Sequence, residues 1–356
     1  MNLKNFNHLK SLDGLVLVTG HTGFKGTWLT YLLESLHIPC FGASLPPKSD
    51  SMYSRLNRSG KIPEIFLDIR NRSEVTNLIL KVKPSVIIHL AAQPLVLESY
   101  SNPIETFETN VMGTANILEA AREINSVRVT AVVTTDKVYL NDNSGQAFTE
   151  NSPLGGKDPY SASKVGTEQV VAAWNTLIPK NETRKVFSLR AGNVIGGGDF
   201  AQNRLLPDLI RGLLNQTPVH IRNAGSTRPW QHVLDPLFGY LLAIEAALGG
   251  EVFESLNFGP EERALSVREV VEIFQFNSNM PSCFFESRET QSQESKYLEL
   301  DSSAAREILK WKPYFNQTES IRETLSWWTA GDTSEVLATH TMNSVELFLS
   351  KVVPTL

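Results

Sequence analysis

The stretch VLVTGHTGFKG, residues 16–26, constrains the fold more than any other part of the chain. An apolar, β-branched run leads there into three glycines spaced three residues apart, Gly20, Gly23 and Gly26. Residues 27–36 then carry apolar side chains at the spacing of one helical face. The pattern predicts a strand, a tight turn and a helix.

A turn of this kind suits the pyrophosphate of a dinucleotide. Glycine tolerates positive φ values and lets a ligand approach the backbone closely. The start of the following helix offers unpaired N–H groups and the positive end of the helix dipole. An ordinary β-α turn is the alternative, but the flanking strand and helix favour a dinucleotide site. The predicted cofactor contacts in this turn are Gly20, Thr22, Gly23, Phe24, Lys25 and Gly26.

Composition narrows the class of protein and its partners. The 356 residues are enough for one large domain or for two that share a core, and 41% of them are hydrophobic. The formal net charge of −5 and the lack of a basic block argue against a nucleic-acid partner. No apolar run is long enough to cross a membrane, and residues 1–13 lack the apolar core of a signal peptide. Cys40 and Cys283 form neither a metal-like nor a redox pair, so we predict no metal site and a reducing, cytoplasmic location.

Apolar runs at intervals along the first half of the chain predict a sheet. After the first strand they lie at residues 38–44, 64–69, 84–93, 127–133 and 185–190. Fully apolar strands belong to parallel sheets that are covered on both faces. The predicted fold class is therefore α/β, a Rossmann-type doubly wound parallel sheet with a smaller α/β substrate-binding domain.

The composition shifts at the glycine-rich residues 192–200, where we place a domain boundary. The predicted cofactor-binding domain comprises residues 14–192 and 233–258, and the predicted substrate-binding domain comprises residues 193–232 and 259–330. The polar residues 286–295 are a candidate mobile loop, and the tail at residues 331–356 has no predicted role. Beyond the first helix, helical patterns cover residues 109–121, 202–214, 234–248, 267–276, 303–311 and 318–328, and a strand is predicted at residues 218–222.

Three features bear on how a cofactor is held. A dinucleotide-binding unit often carries an acid about 20 residues after the glycines, to bind the ribose 2′-hydroxyl. Ser44 stands near that place, which leaves the choice between NAD and NADP open. Asp68, at the end of the third predicted strand, either caps the next helix or contacts adenine. The small Ala91 and Ala92 let a cofactor lie against the backbone after the fourth strand.

Polar residues follow the strand predicted at residues 127–133. Thr135, Asp136 and Lys137 lie at its carboxyl end. In an open parallel sheet this edge faces the ligand crevice, so these side chains are candidates for chemistry. A helix cap or a simple turn is the alternative.

Tyr160 and Lys164 form a second candidate pair. Their spacing of four residues within a helical segment places them on one face, one turn apart. A nearby ammonium favours the phenolate and lowers the pKa of a tyrosine. Since the pair follows a dinucleotide signature, we interpret it as the acid–base pair of a redox step.

Three arginines outside the predicted core are candidates for a diphosphate. Arg204, Arg222 and Arg228 carry guanidinium groups that bind phosphate in a bidentate manner. For each of them, a solvated surface charge is the alternative.

Together these motifs resemble the extended short-chain dehydrogenase/reductase superfamily of NAD-dependent epimerases and dehydratases. The shared marks are the glycine turn, Asp68-Ile69, residues 89–92 (HLAA), Asn110, and Tyr160 with Lys164. Within the superfamily the chain is most similar to the nucleotide-sugar 4,6-dehydratases that act on CDP-glucose. The segments that carry this closer resemblance are residues 21–26, 92–96, 134–139, 153–160, 193–199, 204–208 and 228–234.

Two comparisons refine the resemblance. Sister enzymes that act on dTDP-glucose usually have Asp-Glu where this chain has Asp136-Lys137. Phe200 and Asp235 depart from the family pattern, which usually has Trp and Glu there, and Phe200 is a candidate for lining the sugar-nucleotide pocket.

The resemblance implies a set of binding residues and partners. NAD is the implied cofactor, a nucleotide sugar the implied substrate, and a homodimer or homotetramer the implied assembly. The cofactor contacts beyond the glycine turn would be Asp68, Ile69, Leu90, Ala91, Ala92, Asn110, Tyr160 and Lys164. The substrate contacts would be Gln93, Asn193, Arg204, Leu205, Arg222 and Arg228.

It also implies a redox-neutral dehydration of the sugar. Tyr160 would take the proton of the 4-hydroxyl, Thr135 would bond the same oxygen, and Lys164 would hold the cofactor ribose. Asp136 would protonate the departing 6-hydroxyl, and Lys137 would remove the proton at C5. A dehydratase or 4-epimerase for another nucleotide sugar and a non-catalytic NAD-binding protein are the alternatives.

Overall fold

A computed structural model of the chain describes residues 5–179, 182–286 and 297–353. Seven of its strands form one parallel sheet, and the others pair two by two. The strands are β1 (Val16–Thr19), β2 (Cys40–Ser44), β3 (Glu64–Phe66), β4 (Val86–His89), β5 (Val129–Val133), β6 (Lys185–Ala191), β7 (Asn193–Ile195), β8 (His220–Ile221), β9 (Thr227–Arg228), β10 (Trp230–His232), β11 (Ser255–Phe258), β12 (Leu265–Ser266) and β13 (Phe284–Phe285).

The helices cover both faces of that sheet and fill the second half of the chain. A π-helical turn, Glu108–Met112, and a 3₁₀ turn, Asp136–Val138, add to the α-helices. The α-helices are α1 (Asn7–Lys10), α2 (Phe24–Ser35), α3 (Met52–Arg55), α4 (Arg72–Val82), α5 (Val96–Ser101), α6 (Pro103–Phe107), α7 (Gly113–Arg122), α8 (Pro159–Thr176), α9 (Leu205–Asn215), α10 (Leu234–Leu248), α11 (Val267–Phe276), α12 (Ser303–Leu309), α13 (Gln317–Thr329) and α14 (Ser334–Val352).

The large sheet runs in the order β11-β6-β5-β4-β1-β2-β3. Its central strands β1, β4 and β5 are buried along their whole length, as their apolar sequences predict. The order reverses direction between β1 and β4, and ligands of such sheets bind at the carboxyl ends beside that point. This arrangement confirms the predicted Rossmann-type α/β fold.

The remaining strands and helices lie beyond β6. Strand β7 pairs with β10, β9 with β12, and β8 with β13, and an apolar cluster joins α9, α11 and α13. The chain comes back to the large sheet through α10 and β11, which pairs with β6. The indole Nε1 of Trp28 on α2 donates to the carbonyl oxygen of Gly197 at 2.9 Å and so ties the glycine run after β7 to the first helix of the sheet. The exact domain limits stay a prediction.

The tail, which has no predicted role, forms the long helix α14. Its apolar face buries Val345, Phe348 and Leu349 against α2 and α10. The ring centroids of Phe348 and Phe238 lie 5.6 Å apart, and Phe6 lies at the same distance from Phe238. The two ends of the described chain therefore complete one core.

Three predicted elements have different bounds. Helix α9 begins at Leu205, because Arg204 has extended backbone angles (φ −113°, ψ 139°) and lies just outside the helix. The strand predicted at 218–222 is reduced to β8, so Arg222 follows it. The helix predicted at 109–121 starts in the π-helical turn. Except for Glu286, the candidate mobile loop lies outside the described residues.

Candidate active site

The glycine turn is packed on one side and open on the other. Gly20 has a φ of +73°, and a Cβ atom there would lie 2.7 Å from the Ala91 nitrogen. At Gly26 a Cβ atom would lie 2.1 Å from the Gly20 carbonyl oxygen. At Gly23 it would meet only that oxygen, at 3.3 Å. Gly20 and Gly26 are therefore required by packing, whereas Gly23 leaves its outer face clear.

The start of α2 is suited to an anionic ligand. Gly23 is its N-cap, and no side chain caps the first N–H groups. These groups, with Phe24 and Lys25 at the first two helical positions, face the open side of the turn. The residues present thus fit the pyrophosphate of NAD.

Around this turn, the side chains hold its shape. Thr22 Oγ1 lies 2.9 Å from Ser44 Oγ and donates to the Leu45 carbonyl at 3.2 Å. His21 Nε2 lies 2.8 Å from a carboxylate oxygen of Glu64. Burial lowers the pKa of His21, although Glu64 acts in the opposite direction. Ser44 thus occupies the place of the missing acid and bonds to the turn.

Asp68 does not cap a helix. Its carboxylate accepts from the Arg70 backbone N–H at 2.9 Å and from the Arg70 guanidinium, which lowers the pKa of Asp68. Helix α4 is capped instead by Asn71, whose Oδ1 accepts from the Glu74 N–H. The capping alternative is therefore wrong, and the contact of Asp68 and Ile69 with adenine stays a prediction.

The side chains of Asn110 and Gln93 form hydrogen bonds with other groups of the protein. Asn110 Oδ1 accepts from the Gln93 N–H at 2.8 Å, and its Nδ2 donates to Ser163 Oγ on α8 at 2.9 Å. The amide of Gln93 bonds Leu95 and Thr106. Both residues fix the loop after β4, which contains Leu90, Ala91 and Ala92, and their direct ligand contacts stay predictions.

The 3₁₀ turn after β5 presents the candidate acid and base. Asp136 is fully buried, and its Oδ1 accepts from Thr135 Oγ1 at 3.0 Å. Lys137 Nζ lies 3.4 Å from the same oxygen and 3.4 Å from Asn193 Oδ1. The Oδ2 atom of Asp136 has no hydrogen-bond partner among the described residues. A buried carboxyl group with one free oxygen can exchange a proton with a bound ligand.

Tyr160 and Lys164 lie on α8 beside this turn. The Tyr160 hydroxyl bonds the Thr135 side chain, and Lys164 Nζ donates to the Val133 carbonyl at 3.5 Å. Burial raises the pKa of Tyr160 to about 12, against the effect of Thr135 and Arg204. The net shift is therefore opposite to the lowering that the Tyr160–Lys164 spacing predicts, because burial outweighs the groups that favour the phenolate. Burial also lowers the pKa of Lys164 to about 8, against the attraction of Glu168.

Lys25 reaches the same group of charges. It is half-buried, and desolvation together with the repulsion from Arg204 and Lys164 lowers its pKa to about 7. Its ammonium lies 5.9 Å from the ring centroid of Tyr240. The first turn of α2 therefore brings a side chain within electrostatic range of the candidate catalytic residues.

The predicted substrate residues are only partly brought together. Asn193 touches Lys137, and Arg204 donates to Asp199 Oδ2 at 3.2 Å while acting on the pKa of Tyr160. Arg228 is buried and lines a cavity with Lys137. Arg222 is exposed after β8, and Leu205 is partly buried at the start of α9.

Phe200 packs against two other side chains, and its lining of the sugar-nucleotide pocket stays a prediction. Its ring centroid lies 4.6 Å from that of Trp328 and 4.5 Å from the Arg55 guanidinium carbon. The ring is therefore held between α3 and α13.

Sequence reasoning missed Lys157, Glu168 and Arg190. Lys157 lines the cavity that contains Lys137 and Arg228, and its Nζ donates to the Asn141 carbonyl at 2.7 Å. Glu168 and Arg190 form a buried ion pair behind the 3₁₀ turn, at 2.8 Å. The spacing of Tyr160, Lys164 and Glu168, four residues apart on α8, was the available signal for Glu168.

Comparison with protein families identifies the chain's relatives. The model of the NAD dependent epimerase/dehydratase family matches residues 16–259. The chain belongs to this family. Its named cofactor, NAD, is the one that the resemblance implies.

Similar curated proteins are nucleotide-sugar dehydratases. The chain is 38% identical over 329 residues to CDP-glucose 4,6-dehydratase of Salmonella typhimurium. This alignment covers 89% of this chain and 92% of that protein. It is 26% identical over 345 residues to dTDP-glucose 4,6-dehydratase of Haemophilus influenzae, covering 90% and 99%. The predicted enzyme class, a hydro-lyase, is that of these relatives.

Solved structures with the same fold include UDP-glucose 4-epimerases. One from Stenotrophomonas maltophila with bound NAD has a TM-score of 0.79 at 22% identity, covering 89% of this chain and 98% of that one. One from Thermus thermophilus with NAD has a TM-score of 0.77 at 24% identity, covering 88% of this chain and 98% of that one.

Among the described residues, no helix is long and apolar enough to span a membrane. The same residues contain no group of three or more His, Cys, Asp or Glu side chains that could hold a metal ion.

Proposed function

We propose that the protein converts CDP-glucose to CDP-4-keto-6-deoxyglucose. The observation that carries this proposal is the adjacent Asp136 and Lys137, held beside Thr135 and Tyr160 at the carboxyl edge of the sheet. A 4-epimerase has no use for an extra acid and base at this place. A protein that only binds NAD has no use for a buried tyrosine and lysine at the redox spacing.

The glycine turn, the start of α2 and the loop after β4 would hold NAD. When bound, NAD supplies a group that accepts a hydride from the sugar and later returns it. Lys164 would bind the cofactor ribose and carry positive charge close to Tyr160. The missing acid at Ser44 removes both a ribose hydrogen bond and the repulsion of a 2′-phosphate.

Tyr160 would accept the proton of the sugar 4-hydroxyl. A base with a pKa of about 12 is poorly ionised at neutral pH, so the pKa of Tyr160 has to fall when the ligands bind. Thr135 already bonds the Tyr160 hydroxyl and acts in that direction. The two side chains would share the O4 atom between them.

Asp136 and Lys137 would carry out the loss of water. The 4-keto group acidifies the C5 proton, which Lys137 would remove as a neutral amine. Asp136 would give a proton to the departing 6-hydroxyl from its free Oδ2 atom. The proton that Lys137 takes from C5 would return to C5 when C6 receives the hydride. The proton that Tyr160 takes from the 4-hydroxyl would restore Asp136 between turnovers through Thr135, whose Oγ1 lies 3.0 Å from Asp136 Oδ1.

The nucleotide half of the substrate would lie towards the second half of the chain. Asn193 contacts Lys137, and Arg228 lines the same cavity, which supports a role for both in binding the diphosphate. Arg204 would approach it from the start of α9, and Arg222 from the exposed end of β8. Bidentate contacts from arginine are the usual means of holding phosphate.

The test is turnover of CDP-, dTDP-, UDP- and GDP-glucose under the same conditions, with the 4-keto-6-deoxy product identified by NMR. We expect CDP-glucose to be converted with a kcat/KM at least ~100-fold above that of the others, since a site built for one base rejects another through unpaired polar groups. Equal or better conversion of dTDP- or UDP-glucose would refute the assignment of the nucleotide.

We also propose that the protein is a homodimer or a larger homo-oligomer. Apolar side chains on α5, α6 and the π-helical turn are exposed beside α8: Leu97, Tyr100, Ile104, Phe107 and Met112. A patch of this kind is typical of a surface that another protein covers. Light scattering should give at least twice the monomer mass. Ile104→Glu should give monomers, whereas Leu347→Glu, at an exposed position on α14, should leave the mass unchanged.

The cytoplasmic location stays a prediction, consistent with the unpaired thiols Cys40 and Cys283.

A further inference from the structure

A buried carboxylate lies one helical turn beyond Lys164 on α8. Oε1 of Glu168 accepts from Thr134 Oγ1 and, at 3.0 Å, from Arg190 Nε. Its Oε2 accepts from Ser188 Oγ at 2.7 Å and from Arg190 Nη2 at 2.8 Å. The pair is therefore bidentate, and both carboxylate oxygens are occupied by donors.

Arg190 extends this contact to a second point on the chain. Its Nη1 donates to the Tyr139 hydroxyl at 2.9 Å and to the Glu150 carbonyl at 3.1 Å. The Tyr139 hydroxyl in turn donates to Asn257 Oδ1 at 2.7 Å. All of these groups are shielded from water, so each bond is made against low competition.

Thr134 and Tyr139 are the residues on either side of the turn that presents the acid and the base. Thr134 directly precedes Thr135, and Tyr139 directly follows the 3₁₀ turn Asp136–Val138. One ion pair thus contacts both ends of a six-residue segment, residues 134–139, whose middle carries three of the candidate catalytic side chains, Thr135, Asp136 and Lys137.

We propose that the Glu168–Arg190 pair positions segment 134–139 against α8, so that Thr135, Asp136 and Lys137 meet the sugar atoms that Tyr160 holds. This inference rests on the proposed function. Glu168 is eight residues from Tyr160, about 12 Å along the helix, and therefore acts through the segment and does not touch the substrate.

A buried ion pair is weak evidence for stability, because its desolvation offsets most of its attraction. This pair is distinguished by the residues to which it is hydrogen-bonded. Two of the three hydroxyl groups in the network, those of Thr134 and Tyr139, belong to the catalytic segment. The third, that of Ser188, belongs to the inner strand β6.

That division supplies a matched experiment. Removing Glu168 itself would leave the Arg190 charge buried and alone, and such a variant is expected to unfold. Thr134→Val, Tyr139→Phe and Ser188→Ala each remove one hydroxyl from the same network and keep the charges. Each variant is compared with the parent in melting temperature, in kcat and KM for CDP-glucose, and in hydrogen–deuterium exchange of peptides covering residues 134–139.

We expect Thr134→Val and Tyr139→Phe to lower kcat by about tenfold or more with KM within about twofold, since small displacements of catalytic groups act on the chemical step. Exchange in residues 134–139 should rise in both. Ser188→Ala should lose a similar amount of thermal stability, yet keep kcat within about twofold and leave the exchange of the segment unchanged.

Two results would overturn the inference: unchanged kcat and exchange in Thr134→Val and Tyr139→Phe, or a loss of kcat in all three variants in proportion to their loss of stability. If the parent does not convert CDP-glucose, the proposed function fails. The exchange comparison still decides whether the pair holds the segment, because it needs no substrate.

Discussion

Lys137 Nζ lies 3.4 Å from Asp136 Oδ1, while the other carboxyl oxygen of Asp136 has no partner among the described residues. The base and the acid of the proposed water loss are thus neighbours in sequence and in space. Their roles are separable by experiment because each variant stops the reaction at a different bond.

Asp136→Asn keeps the shape of the carboxyl group but cannot supply a proton. This variant should lose at least ~100-fold in turnover, the lower end of what a general acid contributes. Lys137 remains, so the C5 proton of recovered CDP-glucose should still exchange with deuterated water. NMR of the recovered sugar measures this exchange.

Lys137→Ala should lose a similar factor in turnover and also abolish the exchange at C5, because no base remains to remove that proton. Tyr160→Phe is the control, since blocking the first oxidation must abolish exchange whatever the later roles are. Exchange at the parent rate in Lys137→Ala would assign the C5 base to another residue.

Gly23 and Gly26 should respond differently to alanine. At Gly26 the new Cβ would lie 2.1 Å from the Gly20 carbonyl oxygen, so Gly26→Ala should cost about 1–3 kcal/mol in the free energy of unfolding. At Gly23 the φ of −75° suits alanine, and the methyl group would project to the open side. Gly23→Ala should therefore fold stably but bind NAD at least ~10-fold more weakly, because it obstructs the helix start.

Calorimetry and denaturant titration measure the two effects separately. Weak NAD binding in Gly23→Ala with an unchanged midpoint of unfolding is the expected result. A stable Gly26→Ala protein with the parent's NAD affinity contradicts the packing seen in the turn.

We expect Ser44 to influence how well the protein distinguishes NAD from NADP. No carboxylate stands at the end of β2 to repel a 2′-phosphate, so the parent should prefer NAD only modestly. Ser44→Asp should increase that preference by about tenfold or more, through a ribose hydrogen bond and charge repulsion. Ser44→Asn introduces a side chain of nearly the same shape as aspartate but without its charge, so it should not increase the preference for NAD. Binding titrations with both cofactors decide the matter, and a parent that binds NADP tenfold more tightly than NAD would contradict the prediction.

Asp235 should make the stability of the protein depend on pH. Burial raises its pKa to about 8, although the N–H groups of Tyr314 and Phe315 bond its carboxyl oxygens and act in the opposite direction. In the unfolded chain the group ionises near pH 4, so between about pH 4 and 8 only the folded state keeps the proton. The contribution is full below that window and is lost as the pH rises through it.

Asp235→Asn cannot titrate, and its free energy of unfolding should change less between pH 5 and pH 8 than that of the parent. Urea unfolding at several pH values gives both curves. Parallel curves for the parent and the variant would show that Asp235 is ionised in the folded protein throughout.

Local patterns were sufficient for the sheet and for much of the site. The strands β1, β4 and β5 are short apolar runs, and burial on both faces is what such runs require. Tyr160 and Lys164 are visible because a helix brings residues four apart to one face. The position of Thr135 at the ligand crevice follows from the rule that ligands bind at the carboxyl ends of parallel strands.

Contacts between distant segments could not be predicted in this way. The role of Glu168 depends on β5 and β6 both lying against α8. Gln93 has the right chemistry for a sugar, but its amide is already bonded to Leu95 and Thr106. The pKa of Tyr160 rises because of burial, which the Tyr-x-x-x-Lys spacing does not reveal. The apolar face of α14 packs against α2 and α10, which are distant in sequence, so its partners could not be identified from the local pattern.

Phe6, near the beginning of the chain, and Phe348, near its end, both pack edge-to-face on Phe238 in α10. During synthesis on the ribosome, Phe238 emerges long before Phe348 does. Until more than one hundred further residues have been translated, part of this aromatic surface has no covering. The nascent chain therefore exposes apolar surface late in its synthesis, and surface of this kind is prone to aggregation until α14 covers it.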